Sequence, residues 1–256
     1  MPIKHHQEPA AGGADTAVSV MMALVGKMRL VGSGAESLLN EMMADRNYVV
    51  SFVNAHAMNL ACRNAEFFHA LGSADMVLRD GIGTRILLTA IGVDPGLNMN
   101  GTDFIPKILE AGRHHTMALF GSTALTAATA AASLERLGVP EVTHCDGFQP
   151  FGHYLELLRA KRPRIVILGM GMPRQELLSA LIARELPGPM LVVNGGAILD
   201  FMAHRVRRAP RLLRRLGLEW LFRLLREPAR LWRRYLLGNC LFLWRTGQIM
   251  LTRRNG

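Results

Sequence analysis

One carboxylate in the sequence stands where a parallel α/β sheet would present a catalytic group. Asp80 follows the apolar run at 75–78 and precedes a glycine-flanked turn that ends at Gly83. A carboxylate at this position could accept the proton of an attacking hydroxyl group. It could equally serve as the N-cap of the helix that starts near Gly83. Sequence alone leaves both roles open.

Three further polar residues follow predicted strands. Asp200 comes shortly after the glycine pair at 195–196, and it could bind a ribose or sugar hydroxyl or cap the next segment. Gln175 and Glu176 follow Pro173 in the first turn of a predicted helix, which is a normal helix start. Their amide and carboxylate could also hold a sugar.

Glycine recurs where the predicted strands end. It allows a backbone to approach a ligand closely, and helix N-termini donate N–H groups to phosphate. The segment around Gly171 is not a dinucleotide-binding fingerprint, because Arg174 occupies the place of the third glycine, and the sequence contains no P-loop. Together the glycines predict a nucleotide or sugar-nucleotide pocket, although each alone fits an ordinary turn. The candidates are Gly169, Gly171, Gly195 and Gly196.

Metal ligation is not indicated by the sequence. His114 and His115 are adjacent and must point in different directions, and neither an HExxH motif nor a DxD pair occurs. We therefore expect a metal-independent mechanism without a cofactor. The three cysteines are scattered singletons that fit a reducing compartment.

These residues must be positioned by alternating strands and helices. The candidate strands are 48–53, 75–78, 117–120, 141–144, 164–168 and 190–193. The candidate helices are 55–70, 83–91, 102–112, 123–137, 152–161 and 173–186. Strand–helix alternation at this spacing predicts an α/β fold with a doubly wound, mostly parallel sheet. In such sheets ligands bind at the carboxyl ends of the strands, where the candidate residues lie.

The basic residues are concentrated at the C-terminus. Residues 201–256 contain fourteen arginines and two acidic residues, a net of +12, so the first 200 residues carry −2 of the overall +10. We therefore divide the chain into a disordered leader at 1–22, an α/β domain at 23–204 and a basic helical appendage at 205–256. The charge predicts an anionic partner for the appendage, either nucleic acid or an anionic membrane surface.

The appendage mixes its arginines with Leu, Phe, Trp and Tyr, and Pro228 should interrupt its helix. Short basic amphipathic helices of this kind suit a membrane interface, although the apolar side could instead pack on the body or on a neighbouring subunit. Nucleic acid is disfavoured, because the basic excess is confined to one segment rich in Leu and Trp. The uncharged stretch 116–134 is interpreted as a strand, a turn and an Ala-rich helix, so we expect any membrane contact to be peripheral.

Six stretches of the chain form a combined pattern: DGIG at 80–83, NGTDF at 100–104, LGMGMPRQE at 168–176, NGGAILDF at 194–201, RRAP at 207–210 and LEWLFRLLREPARLWRRY at 218–235. Taken together, they resemble the WecG/TagA/CpsF family of bacterial glycosyltransferases over roughly residues 26–245. The resemblance implies a Rossmann-like sheet followed by a basic appendage that completes the active site at the membrane. It also implies transfer of a hexose from a UDP-sugar to a polyprenyl-diphosphate-linked sugar, with inversion, at the cytoplasmic face of the membrane during assembly of cell-surface polysaccharides.

The resemblance assigns roles to individual residues. Asp80 corresponds to the family's proposed base, and Asn54, Gln175 and Asp200 correspond to pocket residues. The NGTDF stretch adds Asn100, Thr102 and Asp103 as candidate substrate contacts. The departing UDP carries two phosphates that need cationic or dipolar stabilisation. The candidates are Arg207, Arg208, Arg226, Arg230 and Arg233, with a solvated basic face as the alternative.

Two positions depart from the family pattern. Phe52 stands where many members have Thr, and Asn98 stands where many have Arg. Both positions line the pocket in the family, so the usual N-acetylmannosamine-type donor is less certain here, and a UDP-glucose donor of the kind used in exopolysaccharide assembly is an alternative. A non-catalytic sugar-nucleotide binder is an alternative function. The chain could also form a homo-oligomer.

Overall fold

Seven parallel strands form the centre of the protein in a computed structural model, which describes residues 14–34, 36–206 and 208–254. The strands are β1 Met28–Arg29, β2 Tyr48–Val53, β3 Met76–Arg79, β4 Met117–Gly121, β5 Val142–Cys145, β6 Ile165–Gly169 and β7 Leu191–Asn194. Their order is β1-β3-β2-β7-β6-β4-β5, and every neighbouring pair is parallel. The α/β, doubly wound Rossmann-like sheet is thus confirmed. All six predicted strands are present, whereas the two-residue β1 was not predicted.

Ten helices precede the basic segment in the described part of the chain. They are α1 Ala14–Lys27, α2 Glu36–Met42, α3 Ala55–Ala61, α4 Ala65–Gly72, α5 Gly81–Ala90, α6 Gly101–Ala111, α7 Ala124–Arg136, α8 Phe151–Lys161, α9 Arg174–Glu185 and α10 Ile198–Met202. The single helix predicted over 55–70 is two helices, because Asn64 accepts the Phe67 N–H and starts a new helix as an N-cap.

The sheet separates two apolar cores because side chains alternate along each strand. In β2, Val49 and Val53 face the core formed with α1, α3, α4, α5, α8 and α9. Val50 and Phe52 face the opposite core, formed with α2, α6, α7 and α10. Burial on both faces explains why β2 is apolar throughout apart from Ser51.

The predicted leader is partly wrong. Residues 14–22 belong to helix α1, whose Met21 and Leu24 are buried in the first core because they lie on one face of the helix. Residues 1–13 of the predicted leader lie outside the described residues.

The basic segment continues as a series of helices. They are α11 Arg211–Arg215, α12 Glu219–Arg226, α13 Pro228–Trp232, a π-helical turn at Arg233–Leu237 and α14 Gly238–Arg254. Pro228 occupies the first turn of α13, so the predicted interruption of the helix is confirmed.

Helix α14 packs on α1, α3 and α5, and its Phe242 and Ile249 are fully buried in the first core. The Asn59 side chain ties it to α3, because its Nδ2 donates to the Gly238 carbonyl over 2.6 Å and its Oδ1 accepts from Arg245 over 2.8 Å. Part of the apolar surface of the appendage therefore packs on the body of the same chain. None of the helices in the described residues is both long and apolar enough to span a membrane.

Candidate active site

The carboxyl ends of five adjacent strands, β3, β2, β7, β6 and β4, form one edge of the sheet. The loops that follow these strands surround a cavity of about 830 Å³, referred to below as the first cavity. Its opposite wall is formed by α12, α13 and the π-helical turn. The cavity thus lies at the carboxyl edge of the parallel sheet, where the site was predicted.

Asp80 lines the first cavity directly after β3. It occupies the N-cap position of α5, but within the described residues its side chain makes no capping hydrogen bond. Instead its Oδ2 accepts a hydrogen bond from Nδ2 of Asn54 over 3.4 Å. Asp80 therefore occupies the predicted N-cap position without capping the helix through its side chain, and its carboxylate lines the cavity.

The environment of Asp80 both raises and lowers its pKa. Burial raises the pKa above its ordinary value, whereas the Asn54 hydrogen bond and the positive charges of Arg234, Arg223 and Arg79 lower it. Burial has the larger effect, so the pKa is raised overall. A carboxylate with a raised pKa is a better proton acceptor than an exposed one.

Asn54 is fixed by the helix that follows it. Its Oδ1 accepts the Ala57 N–H over 3.1 Å and thereby caps α3. Because the oxygen is used in this way, the amide NH₂ must point toward Asp80. The predicted pocket asparagine therefore has a clear structural role beside Asp80.

A second cavity of about 530 Å³ meets the first at Asp80. Five residues line both cavities: Asn54, Asp80, Thr102, Arg223 and Arg234. The rest of the second cavity is largely apolar and comes from α5 and from the C-terminal helices, including Ile82, Ile86, Leu216, Trp220, Tyr235, Phe242 and Leu243. Asp80 thus lies between a polar cavity and an apolar one.

Four arginines of the C-terminal helices line the first cavity: Arg223, Arg226, Arg230 and Arg234. Arg226 and Arg230 were predicted, whereas Arg223 and Arg234 were not. Within the described part of the chain, the buried Nε atoms of Arg223 and Arg234 have no hydrogen-bond partner. Both residues line the cavity, so their positive charges can attract an anionic ligand.

The prediction for Arg233 is wrong. This residue is exposed, and its guanidinium lies 5.3 Å from the ring centroid of Trp232. Adjacent helical residues point about 100° apart, so only one of two neighbouring arginines can face the cavity. In the π-helical turn it is Arg234 that faces the cavity. The adjacent pair Arg233-Arg234 was the sequence signal that could have drawn attention to it.

Two other predicted contacts bind each other. The Asp103 carboxylate pairs with Arg208 over 2.7 Å and with Arg214 over 3.5 Å, so Asp103 and Arg208 join α6 to the segment around α11 instead of lining either cavity. These pairs and the Asn100 side chain keep the pKa of Asp103 below its ordinary value despite burial. Arg207 lies outside the described residues.

The asparagines near Asp103 line the second cavity and also shape its wall. Asn100 caps α6 by accepting the Asp103 N–H over 2.9 Å, and its Nδ2 donates to Oδ2 of Asp103 over 2.8 Å. Asn98 accepts the Gly81 N–H over 2.8 Å and so supports the turn after Asp80. Thr102 lines both cavities. These three predicted positions are brought to the site.

Two titratable residues of the second cavity were not selected from the sequence. Burial lowers the pKa of His56 to about 4, with further lowering by Arg234 and Arg63, so its imidazole is neutral at neutral pH. Burial raises the pKa of Glu219 in α12, an effect that Arg208 opposes and Asp80 reinforces. Glu219 lies in the matching stretch at 218–235, but that stretch suggested only arginines as site residues, and no motif includes His56.

The predicted glycines all line the first cavity: Gly169, Gly171, Gly195 and Gly196. Asp200 lines it too, and its Oδ1 accepts a hydrogen bond from the Ser122 hydroxyl over 2.7 Å. The N-cap of α10 is Ala197, so Asp200 does not cap that helix. The structure therefore brings the predicted glycines and Asp200 together on one wall.

Glu176 does not line the cavity, contrary to the prediction, because its side chain is fully buried beneath the glycine loops. Gln175 lines the cavity, but its amide oxygen already accepts the N–H groups of Gly171 and Gly196. Arg174, in the place of the third fingerprint glycine, donates to the carbonyls of Gly147 and Gln149 and fixes the loop before α8. These side chains support the wall of the cavity.

Among the described residues, no group of three or more His, Cys, Asp and Glu side chains is arranged to hold a metal ion. The three cysteines are free. The metal-independent mechanism stays a prediction.

A carboxylate opposite a cluster of arginines, at the carboxyl edge of a Rossmann-like sheet, is an arrangement that suits group transfer from an anionic substrate. Residues 27–256 match the profile described as the Glycosyl transferase WecG/TagA/CpsF family, and the chain belongs to this family. The protein is therefore a glycosyltransferase. It is also similar to an N-acetylglucosaminyldiphosphoundecaprenol N-acetyl-beta-D-mannosaminyltransferase of Bacillus spizizenii strain W23, with 30% identity over 182 residues that cover 69% of this chain and 70% of the relative.

Proposed function

We propose that the protein transfers a hexose from a UDP-sugar to a sugar linked to polyprenyl diphosphate, with inversion at the anomeric carbon, in the synthesis of a cell-surface polysaccharide. The family and the name of the Bacillus relative support this reaction class. The observation that carries the proposal is the position of Asp80, which lies where a cavity lined by arginines meets a more apolar cavity.

The first cavity suits the donor. Its glycine loops let the backbone approach a bound nucleotide closely, and five arginines, Arg205 and the four of the C-terminal helices, line the same space. When the sugar leaves, the charge that develops on UDP needs preorganised cations, and Arg223 and Arg234 line the cavity next to Asp80. The protein's own arginines can therefore stabilise the leaving group.

The second cavity suits the acceptor. Its apolar lining could hold the first part of the lipid, with the acceptor hydroxyl directed toward Asp80. The hydroxyl oxygen forms a bond to the anomeric carbon while the bond from that carbon to the UDP oxygen breaks. Asp80 takes the hydroxyl proton, and UDP leaves with the bonding electrons. One displacement inverts the anomeric carbon and needs no covalent intermediate.

The exposed surface of the C-terminal helices suits an anionic membrane. Large apolar side chains are exposed between α11 and α14, namely Leu212, Leu216, Leu225, Trp232, Leu236, Leu237, Leu241, Leu243, Trp244, Met250 and Leu251. They alternate with arginines, each of which contributes about 1 kcal/mol near an anionic bilayer surface. We propose peripheral binding at the inner face of the cytoplasmic membrane, with the second cavity next to the lipid-linked acceptor.

Two donors are candidates. The name of the Bacillus relative favours UDP-N-acetylmannosamine. The aromatic ring of Phe52 in the wall of the first cavity favours the alternative, UDP-glucose, since it replaces a hydroxyl that could bind a polar substituent of the sugar.

A panel of UDP-sugars tests the proposal. Each UDP-sugar is incubated with the protein and a polyprenyl-diphosphate-linked N-acetylglucosamine, and the products are identified by mass spectrometry. We expect one UDP-hexose to add a single sugar to the lipid-linked acceptor. Binding of UDP-sugars without transfer to any lipid-linked acceptor would instead support a non-catalytic binder.

A further inference from the structure

A cluster of buried polar side chains lies behind the glycine loops of the first cavity. We name it the buried amide cluster, and its members are Ser51, Gln175, Glu176, Ser179 and Asn194, each at most 2% exposed. Buried polar groups are costly unless they are hydrogen-bonded, so the bonding of this cluster constrains its protonation.

Gln175 connects the cluster to the cavity wall. Its Oε1 accepts the N–H of Gly171 over 3.1 Å and the N–H of Gly196 over 3.0 Å. Both glycines have positive φ, at 80° and 59°, which favours glycine and turns their N–H groups toward Gln175. One amide oxygen therefore holds two loops that follow two different strands, β6 and β7.

The orientation of that amide depends on Glu176. Nε2 of Gln175 donates to Oε1 of Glu176 over 2.8 Å. If the Gln175 amide turned over, its NH₂ group would face the two glycine N–H groups, and both loops would lose their acceptor. Glu176 thus keeps the Gln175 oxygen directed at the loops.

The remaining bonds of the cluster leave one oxygen of Glu176 and one of Asn194 without partners. Nδ2 of Asn194 donates to the hydroxyls of Ser51 and Ser179, and the Ser179 hydroxyl donates to the Glu176 carbonyl. Across the described residues, Oε2 of Glu176 and Oδ1 of Asn194 are both buried without a hydrogen-bond partner. A carboxylate cannot improve this situation, because it only accepts, whereas a carboxylic acid supplies one O–H donor.

No cation compensates for a negative charge on Glu176 among the described residues. Helix α9 packs against α4, β2, β6 and β7. The titratable side chains on these five elements besides Glu176 are Glu66, His69, Tyr48, Arg174, Arg184 and Glu185. Glu66 and His69 are exposed, Tyr48 donates to Glu41, Arg174 donates to backbone carbonyls, and Arg184 pairs with Glu185. An ionised Glu176 would therefore be a buried, unpaired charge.

We propose that Glu176 is a neutral carboxylic acid and acts as a positioning residue, which holds the Gly171 and Gly196 loops in place at the cavity wall through Gln175. The proposal rests on the proposed function in one respect, because it takes this wall to be part of the donor site. Glu176 does not touch the substrate, and its effect on transfer is indirect.

The electrostatics agree with this assignment. Burial raises the pKa of Glu176 from 4.5 to about 7, and the opposing effects are only the Gln175 hydrogen bond and the residue's own backbone. The neutral form is therefore lost as the pH rises past about 7. A negative charge would then lie directly behind the wall that faces the UDP diphosphate, so donor affinity should fall as the pH rises.

The first test needs no substrate. The free energy of unfolding is measured against pH for the wild type, for Glu176→Gln, which mimics the neutral acid, and for the exposed control Glu135→Gln. Because the pKa of Glu176 is raised in the folded state, its contribution to stability is complete below pH 4.5 and is lost as the pH rises to about 7. Over this pH range, we expect the equilibrium constant of unfolding to increase for the wild type and for Glu135→Gln. The increase should exceed that of Glu176→Gln by about two orders of magnitude.

The second test measures UDP affinity by calorimetry at about pH 6 and about pH 8.5, on either side of the raised pKa. We expect Glu176→Gln to bind UDP like the wild type at the lower pH and to lack the several-fold weakening of the wild type at the higher pH. Glu176→Ala should bind UDP weakly at both pH values.

The proposal is overturned if Glu176→Gln follows the wild-type pH dependence of stability, or if it binds UDP as weakly as Glu176→Ala at the lower pH. Failure of the wild type to bind UDP would instead contradict the proposed function, and the stability test would still decide the state of Glu176.

Discussion

Nδ2 of Asn54 lies 3.4 Å from Oδ2 of Asp80, and the oxygen of the same amide caps helix α3. The cap fixes the direction of the NH₂ group, so the carboxylate beside it is held in one orientation at the junction of the two cavities. The N-cap of α3 thereby positions the proposed base at the end of the neighbouring strand β3.

The first prediction concerns the carboxylate itself. Asp80→Asn should lower the rate of sugar transfer by about 10²–10⁴-fold, because the amide cannot accept the hydroxyl proton. UDP binding should persist, because the arginines of the first cavity are unchanged. Rates are measured with the lipid-linked acceptor, and binding by calorimetry. Turnover near the wild-type rate would remove Asp80 as the base.

The second prediction concerns pH. The pKa of Asp80 is raised above 3.8 by burial, so the fraction of ionised base falls at a higher pH than for an exposed aspartate. We expect kcat to decrease as the pH falls, with an inflection above 3.8. The profile is recorded at saturating donor and acceptor, so that weaker binding does not contribute. An unchanged kcat down to pH 3.8 would contradict the environment described for this carboxyl group.

The third prediction uses two neighbouring arginines as a matched pair. Arg234→Ala should reduce kcat by about 10²-fold, because it removes a cation that faces the departing UDP. Arg233→Ala should have little effect on kcat, because Arg233 lies over Trp232 on the exposed side. Both variants lose the same charge, so their difference separates a role in the cavity from the general basicity of the surface. Equal losses of kcat would contradict the assignment.

The fourth prediction concerns the membrane. Leu237 and Trp244 are 60% and 59% exposed on the C-terminal helices, whereas Leu125 on α7 is 78% exposed on the body. Leu237→Ser and Trp244→Ser should each weaken binding to anionic liposomes by about tenfold, because each removes one large apolar group from the interface. Leu125→Ser serves as the control in the same sedimentation assay. Equal effects of all three substitutions would argue against docking through this surface.

The fifth prediction concerns metal ions. Addition of a chelator should leave transfer largely intact, because the arginines can supply the charge that a metal would otherwise bring to the diphosphate. The rate is compared before and after chelation and after divalent ions are restored. A strict requirement for a divalent ion would show that arginines alone do not stabilise UDP.

Much of the fold was readable because buried parallel strands are short apolar runs followed by glycine or asparagine. The sequence did not reveal β1, because two residues carry no periodicity that can be recognised. It also misplaced the boundary of the leader, because the small residues of 14–17 conceal the start of α1.

The site was predictable where a loop type determined its position, as for Asp80, Asn54 and the glycines. It was less predictable where tertiary contacts decided the outcome. Asp103 and Arg208 are far apart in the sequence, and only the folded chain shows that they pair with each other. The choice between Arg233 and Arg234 depends on a local π-helical turn that no residue type announces.

The burial of Phe242 and Ile249 against α1 and α3 has a consequence for protein engineering. A shortened variant that ends before α14 would expose part of its main core, so loss of activity on truncation could not by itself identify a membrane anchor. A chimaera that borrows the basic terminus of a relative would also need the matching first helix, because the two ends of the chain are packed as one unit.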